Sequence, residues 1–204
     1  MDASTERINE AEREAQCYDG MGRDEAFALR NAHNGPLLTF YPHDPLLITR
    51  GCGQYLFDDK GKKYLDLFAG IVTVSVGHCH PKITDAIVQQ AQTLVHTTTI
   101  YGNTAHAKYA ASLAAKLPKR SDGKKWKLYF VNSGSEANDL AMHLARAYTG
   151  RQAVFALRNC YHGMSTNLQS VTAVPGWQRN NGVQVSNVHH VPMPYVSLSL
   201  SFFL

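Results

Sequence analysis

Residues 132–135, Asn-Ser-Gly-Ser, place four small polar groups between an apolar run, WKLYFV at 126–131, and an amphipathic run that follows. A strand that hands over to a helix through such a turn sets backbone N–H groups without internal partners beside the positive end of the helix dipole. Both features suit a phosphate. Gly134 lets the backbone come close to a ligand, and the Ser133 and Ser135 hydroxyls add donors. The same residues serve equally well as a plain helix cap. A second group of residues, Arg158-Asn159-Cys160-Tyr161-His162-Gly163, follows the next apolar run. Set beside a phosphate, Tyr161 offers a flat surface for a planar ring, His162 a hydrogen-bonding nitrogen, and Gly163 clearance. Alone it reads as an ordinary loop with a half-buried tyrosine.

Other motifs carry less. Gly51-Cys52-Gly53 lacks the third glycine of a dinucleotide fingerprint and precedes a strand. Gly61-Lys62 has no glycine at the P-loop distance, and no serine stands in a G-x-S-x-G elbow. Gly77-His78-Cys79-His80-Pro81 has no second ligand pair at a zinc spacing, so no metal is expected and a rigid turn is the reading.

The elements that position the turn follow from pattern. Asp24 is expected to cap a helix through Ala26–Leu29, stopped by Asn34-Gly35-Pro36. GQYLFDDKGKKYLDLF predicts a hairpin around Asp59-Lys60-Gly61-Lys62. After Pro81, the spacing of Ile83, Ala86, Ile87, Ala91 and Leu94 predicts a helix over 82–95, and a second is expected from about 105 to 117. WKLYFV reads as a buried strand, 137–148 as a helix ended by Gly150, and 153–157 as the next strand. Strand, helix and strand within about 30 residues predict a parallel, right-handed βαβ unit that would bring Tyr161 beside the turn. VHHVPMPY reads as strand and loop. The last residues, VSLSLSFFL, alternate serine with large apolar groups and pose an aggregation hazard.

With 204 residues, 44% of them hydrophobic and 18% charged, the chain has the composition of an ordinary soluble domain. A basic cluster, Lys116, Lys119, Arg120, Lys124, Lys125 and Lys127, brackets Ser121-Asp122-Gly123. It reads as a solvated connector, and no nucleic-acid partner is expected. The four cysteines form no CxxC pair and point to reduced thiols inside a cell. No apolar run is long enough for a membrane span. The Glu-rich N-terminus resembles neither a secretory signal nor a mitochondrial presequence.

Together, LDLFAGIVTVSVGHCHPKI, VNSGSEANDLAMHLARAYTG and the YHG at 161–163 resemble the class III (omega) aminotransferases, which depend on pyridoxal phosphate. The wording GIVTVSVGHCHPK is similar to the alanine–glyoxylate aminotransferase 2 branch. The resemblance runs from about residue 45 to 195. It implies an α/β fold, the large domain of fold type I pyridoxal-phosphate (PLP) transferases, with N-terminal helical and hairpin segments belonging to a small domain. It divides the chain into a small-domain segment at 1–50, the first half of the PLP-binding domain at 51–195, and a divergent apolar tail at 196–204. By the same resemblance, Gly134 and Ser135 grip the cofactor phosphate, Tyr161 stacks on the pyridine ring, and His162 lies beside it. Ile71 and Val72 line the substrate pocket, where Ile71 suits a small 2-oxo acid or alanine-like amine better than ornithine. The family also implies a homodimer and, through the named branch, a mitochondrial address.

Transamination needs a lysine to bind the cofactor covalently and move the proton, with an acidic partner for the ring nitrogen. None of the ten lysines here stands in the family's lysine-loop context, and no D-E-V-Q-type strand occurs. The expectation is a truncated family member that binds PLP non-covalently at best, has no catalytic residue of its own, and is inactive alone. Three alternatives stand: a non-catalytic isoform pairing with a full-length enzyme, an aminomutase or decarboxylase on the same fold, and a plain nucleotide-binding module.

Overall fold

The Asp59-Lys60-Gly61-Lys62 turn closes an antiparallel hairpin, because Gly61 takes φ 74° and donates its N–H to the Asp58 carbonyl at 3.1 Å. The computed structural model describes residues 3–35, 43–175 and 187–194. It divides into two units, Met1–Gly102 and Asn103–Leu204. The apolar tail at 196–204 lies outside the described residues.

The first unit holds α1 (Ala3–Gln16), α2 (Arg23–His33), β1 (Ile48–Cys52), β2 (Tyr55–Asp58), β3 (Lys63–Leu65), the single turn α3 (Ala69–Val72) and α4 (Pro81–Thr93). The strands form one sheet in the order β1-β2-β3, antiparallel throughout, with Gly51 opposite Leu56 and Leu56 opposite Tyr64. The Glu-rich N-terminus is a helix that covers this sheet. Ala11 and Ala15 are buried against Cys52 and Phe57, with Ile8 and Tyr55 packed around them. Glu14 pairs with Arg50 and Glu12 with Lys63, so the acidic residues hold the helix on the strands.

One carboxylate organises the hairpin. Asp58 is 6% exposed; it accepts from the Lys60 and Lys62 N–H groups at 2.9 Å and from the Tyr64 hydroxyl at 2.8 Å. Burial pushes its pKa up, but the Lys62 N–H, the Tyr64 hydroxyl, the Lys60 N–H and the Lys62 charge outweigh that and hold it below 3.8. A group depressed in this way stabilises the fold fully above the ordinary carboxylate range. That stability is lost as pH falls below 3.8 through the folded value. Asp58→Ala, which strands three donors, is expected to cost the hairpin about 2–4 kcal/mol. Urea titrations from pH 7 to pH 2 should show the variant losing the acid-dependent part of the slope.

One expectation changes in this unit. α2 begins one residue before Asp24: Gly22 is the cap, with Ala26 N–H bonded to the Gly22 carbonyl at 3.0 Å, and Asp24 lies in the first turn. There its charge meets the helix dipole without capping an N–H. The Gly77–Pro81 stretch is a turn into α4. His78 exchanges two backbone hydrogen bonds with Gly53, at 2.9 and 2.7 Å, and its ring Nε2 lies 2.7 Å from Asp66 Oδ2. Among the described residues, no three His, Cys, Asp or Glu groups come together as a metal site.

The second unit holds α5 (Thr104–Lys116), α6 (Gly134–Thr149), β4 (Val154–Leu157), the single turn α7 (Leu168–Val171) and β5 (Val188–Val191). Asn103 caps α5, its side chain accepting from the His106 N–H at 3.1 Å, and Gly150 ends α6 in the left-handed region. β4 and β5 pair in parallel, Val154 opposite Val188 and Leu157 opposite Val191. Ala156, Leu168 and Val171 form the core beneath them, with Met142 and Val188 packed against it. The predicted strand at 126–131 is not one. Among the described residues it has no ladder partner, and a strand exists only by pairing. Phe130 instead meets the rings of His106 and Tyr109 at 4.9 and 5.3 Å, while Tyr129 stays 70% exposed. The parallel partner of 154–157 is therefore β5. No helix among the described residues is long and apolar enough to cross a membrane.

Candidate anion-binding site at the start of α6

The Asn-Ser-Gly-Ser turn is both a cap and an open donor pair. Ser133 caps α6, its Oγ accepting from the Glu136 N–H at 3.1 Å and its carbonyl accepting from the Ala137 N–H at 3.0 Å. That leaves the Gly134 and Ser135 N–H groups, at the first two helical positions, with no acceptor among the described residues. A Cβ on Gly134 would meet nothing within 4 Å, so the space over these donors is open. Glu136 sends its carboxylate back to the Asn132 N–H at 2.5 Å, where it opposes any anion drawn to the same helix end.

The loop after β4 is tied directly to this helix start. Met164 N–H donates to Ser135 Oγ at 3.2 Å, and Asn138 Nδ2 donates to the His162 carbonyl at 2.7 Å. With its Oγ accepting from Met164, the Ser135 hydroxyl keeps its own proton to offer an anion. A second set of bonds holds the loop from the α7 side. His162 N–H donates to Thr172 Oγ1 at 3.0 Å, Thr172 Oγ1 donates to the Gly163 carbonyl at 2.7 Å, and Ala173 N–H donates to the Cys160 carbonyl at 2.9 Å. Gly163 sits where the two sets meet. Its φ is 128°, and a Cβ there would lie 2.5 Å from Ser135 Oγ and 3.0 Å from Ser135 Cα. The Tyr161 residue is 55% exposed. His162 Nε2 is buried with no partner among the described residues, an orphaned polar atom.

Gly134, Ser135 and the 161–163 loop are therefore brought together, although the strand pairing from which this was expected does not form. Asn138 and Thr172, which tie the loop down, were not anticipated. Asn138 is polar on the first turns of α6, a weak signal, whereas Thr172 gives none.

Ile71 and Val72 lie in the first unit, on α3. The backbone is left-handed there: φ is 50°, 58°, 62° and 63° from Ala69 to Val72. Asp66 supports this turn, its Oδ1 accepting from the Phe68 and Ala69 N–H groups at 2.9 Å while Oδ2 meets the His78 ring. These bonds, the one to His78 foremost, hold the Asp66 carboxyl below the ordinary range. Ile71 is 72% exposed and Val72 79% exposed, so packing does not compensate a β-branched residue for this conformation. Ile71→Gly is expected to raise the stability of the unit by about 0.5–1 kcal/mol, strain relief exceeding the entropy of glycine. A urea midpoint that falls in the variant would show that the turn is not strained.

The class III aminotransferase family matches residues 40–200. The chain belongs to that family. Over 180 residues it is 40% identical to "Alanine--glyoxylate aminotransferase 2 homolog 2, mitochondrial" from Arabidopsis thaliana, covering 87% of this chain and 36% of the relative. Among solved structures it resembles an (S)-enantioselective omega-transaminase from Thermomicrobium roseum, with 28% identity and a TM-score of 0.74 over 87% of this chain and 41% of that one. It also resembles a phospholyase from Arthrobacter in complex with phosphoethanolamine, with 34% identity and a TM-score of 0.71 over 84% of this chain and 38% of that one. The chain spans about a third of the length of the curated relatives it matches. The fold is that of the fold type I transferases, present as a partial sheet, and the family's cofactor is pyridoxal 5′-phosphate. The residues at the start of α6 fit such a group: two free N–H donors and open space for a phosphate, with an exposed tyrosine and an unpartnered imidazole nitrogen for a ring.

Proposed function

We propose that the Gly134 and Ser135 N–H groups hold the phosphate of pyridoxal phosphate, that Tyr161 stacks on its ring, and that His162 lends Nε2 to the ring's edge. The observation that carries this reading is the loop seated on the helix start through Ser135 Oγ and Asn138. When bound, the cofactor supplies the electron sink that lets an amino group pass between a donor and a 2-oxo acid. The chain's own residues bind its phosphate and orient its ring. In this reading 51–195 is the first half of the cofactor-binding domain, 1–50 contributes to a small domain, and 196–204 is a divergent tail. Ile71 and Val72 wall a pocket for an alanine-like donor and a glyoxylate-like acceptor. The working protein is a homodimer, and it is mitochondrial, as its named relatives are.

The lysines limit what these 204 residues do alone. Those of the second unit lie on α5, at Lys108 and Lys116, and along 119–127. We therefore assign the chain non-covalent cofactor binding and no amino transfer by itself, with pairing to a longer relative as the route to activity. A second reading, different chemistry on the same fold, draws on the likeness to the Arthrobacter phospholyase.

Pyridoxamine 5′-phosphate, whose amine cannot condense with lysine, tests the site directly. The chain should bind it about 10–100-fold more tightly than pyridoxamine, the worth of charge-assisted hydrogen bonds to the phosphate. AMP should not displace it. Equal affinity for pyridoxamine, or displacement by AMP, would overturn the assignment in favour of a nonspecific or nucleotide site. Borohydride reduction of a mixture with pyridoxal phosphate should label no single lysine stoichiometrically.

A further inference from the structure

The basic cluster at 116–127 does not simply face solvent. All of it but Lys116 rims a cavity of about 790 Å³ between the C-terminal half of α5 and the connection that follows. The floor is apolar: Ala111 and Ala114 of α5, with Leu117 and Leu128. Trp126 stands in the wall, 39% exposed, its Nε1 donating to the Pro118 carbonyl at 2.8 Å so that the indole is fixed in place. Arg120 lies over the indole at 5.0 Å and is engaged by Asp122, which takes two hydrogen bonds from it at 2.8 and 2.6 Å. Lys119, Lys124, Lys125 and Lys127 line the same cavity, and none has an ion-pair or side-chain hydrogen-bond partner among the described residues.

Four uncompensated ammonium groups around one concavity repel one another and concentrate positive potential inside it. One carboxylate would neutralise a quarter of that charge, whereas a polyphosphate matches it. The volume falls in the range that small molecules occupy, about 300–1,000 Å³. The fixed indole and alanine floor favour a flat apolar body. We propose that this cavity binds an organic polyphosphate with a planar body, of the nucleoside di- or triphosphate type. The site is distinct from the one at the start of α6 and does not rest on the function proposed above.

The test uses the 204-residue chain with Trp177→Phe, so that Trp126 is the only indole, titrated with magnesium-free ATP, adenosine and tripolyphosphate. ATP should quench Trp126 at one equivalent and bind about tenfold or more tightly than tripolyphosphate, the contribution of stacking one base. Adenosine should bind more weakly still. Lys124→Glu with Lys125→Glu should weaken ATP about tenfold or more, and added salt should do the same. Ala114→Leu, which fills the floor, should weaken ATP while leaving tripolyphosphate within about threefold. Lys60→Glu, in the hairpin turn of the first unit and outside the cavity lining, should leave ATP within about twofold. Gly134→Asp should leave it equally unchanged, which separates this site from the cofactor site. Equal binding of ATP and tripolyphosphate, or an Ala114→Leu variant with unaltered ATP affinity, would overturn the proposal. Equal loss on Lys60→Glu would do so too, by reducing the effect to net charge.

Discussion

Gly163→Ala is expected to cost the second unit about 2–6 kcal/mol and to unseat the loop that carries Tyr161. Two terms add. A non-glycine residue at φ 128° is strained by about 1–3 kcal/mol. The new methyl must also find room where Ser135 Oγ lies at 2.5 Å and Ser135 Cα at 3.0 Å. The hydroxyl can rotate, but the backbone atom cannot move without shifting α6, and such overpacking costs about 1–3 kcal/mol. Thermal melts measure the total. Hydrogen exchange localises it, since the Met164 and His162 amides lose their acceptors first. Adding Ser135→Gly should recover part of the loss, a coupling that a double-mutant cycle reads directly. Additivity of the two substitutions would mean that Gly163 and Ser135 do not press on each other.

Gly134→Asp should separate binding from folding. A carboxylate at the first helical position interacts favourably with the helix dipole, so stability should hold or rise by a few tenths of a kcal/mol. The same carboxylate occupies the open space over the Gly134 and Ser135 N–H groups and meets the phosphate as a like charge. Affinity for pyridoxamine 5′-phosphate should fall about 10–100-fold, a loss of about 1.5–3 kcal/mol. Calorimetric titration checks the affinity and a denaturant midpoint the stability. Unchanged affinity would remove the phosphate from this helix end. Glu136 already places one carboxylate on the Asn132 N–H, so Glu136→Gln should move affinity the other way.

The sequence revealed most where one residue's chemistry sufficed. Gly61 announced the hairpin turn, and the 3.6-residue stripes of α4 and α6 announced those helices. Ser133 and Gly134 marked a helix start with donors to spare. Other features depended on neighbours that no local pattern contains. α1 buries only Ala11 and Ala15, too small a stripe to stand out among glutamates, yet Phe57 needs that helix to be 0% exposed. WKLYFV has the residues of a strand, but a ladder requires a partner backbone. Thr172 bridges the His162 N–H and the Gly163 carbonyl, a role any small hydroxyl residue in that place would fill, so nothing in its surroundings points to it. Tyr161 was placed beside the turn for a reason that failed. The loop reaches α6 through Ser135 and Asn138 and needs no adjoining strand.

The helix that covers the hairpin bears on how the chain is made. α1 leaves the ribosome before its partners Cys52 and Phe57, which follow some forty residues later, a wait of seconds at translation rates of about 5–20 residues per second. Arg7 also reaches the Cys79 carbonyl at 2.6 Å, seventy-two positions away. During that wait the face destined for burial is mainly alanine, which offers little apolar surface to a passing chain, while the surrounding glutamates keep it solvated. A leucine-rich stripe would pack more strongly in the finished fold but leave a nascent chain sticky for the same interval. Small side chains at Ala11 and Ala15 thus let this helix be made before the strands that bury it.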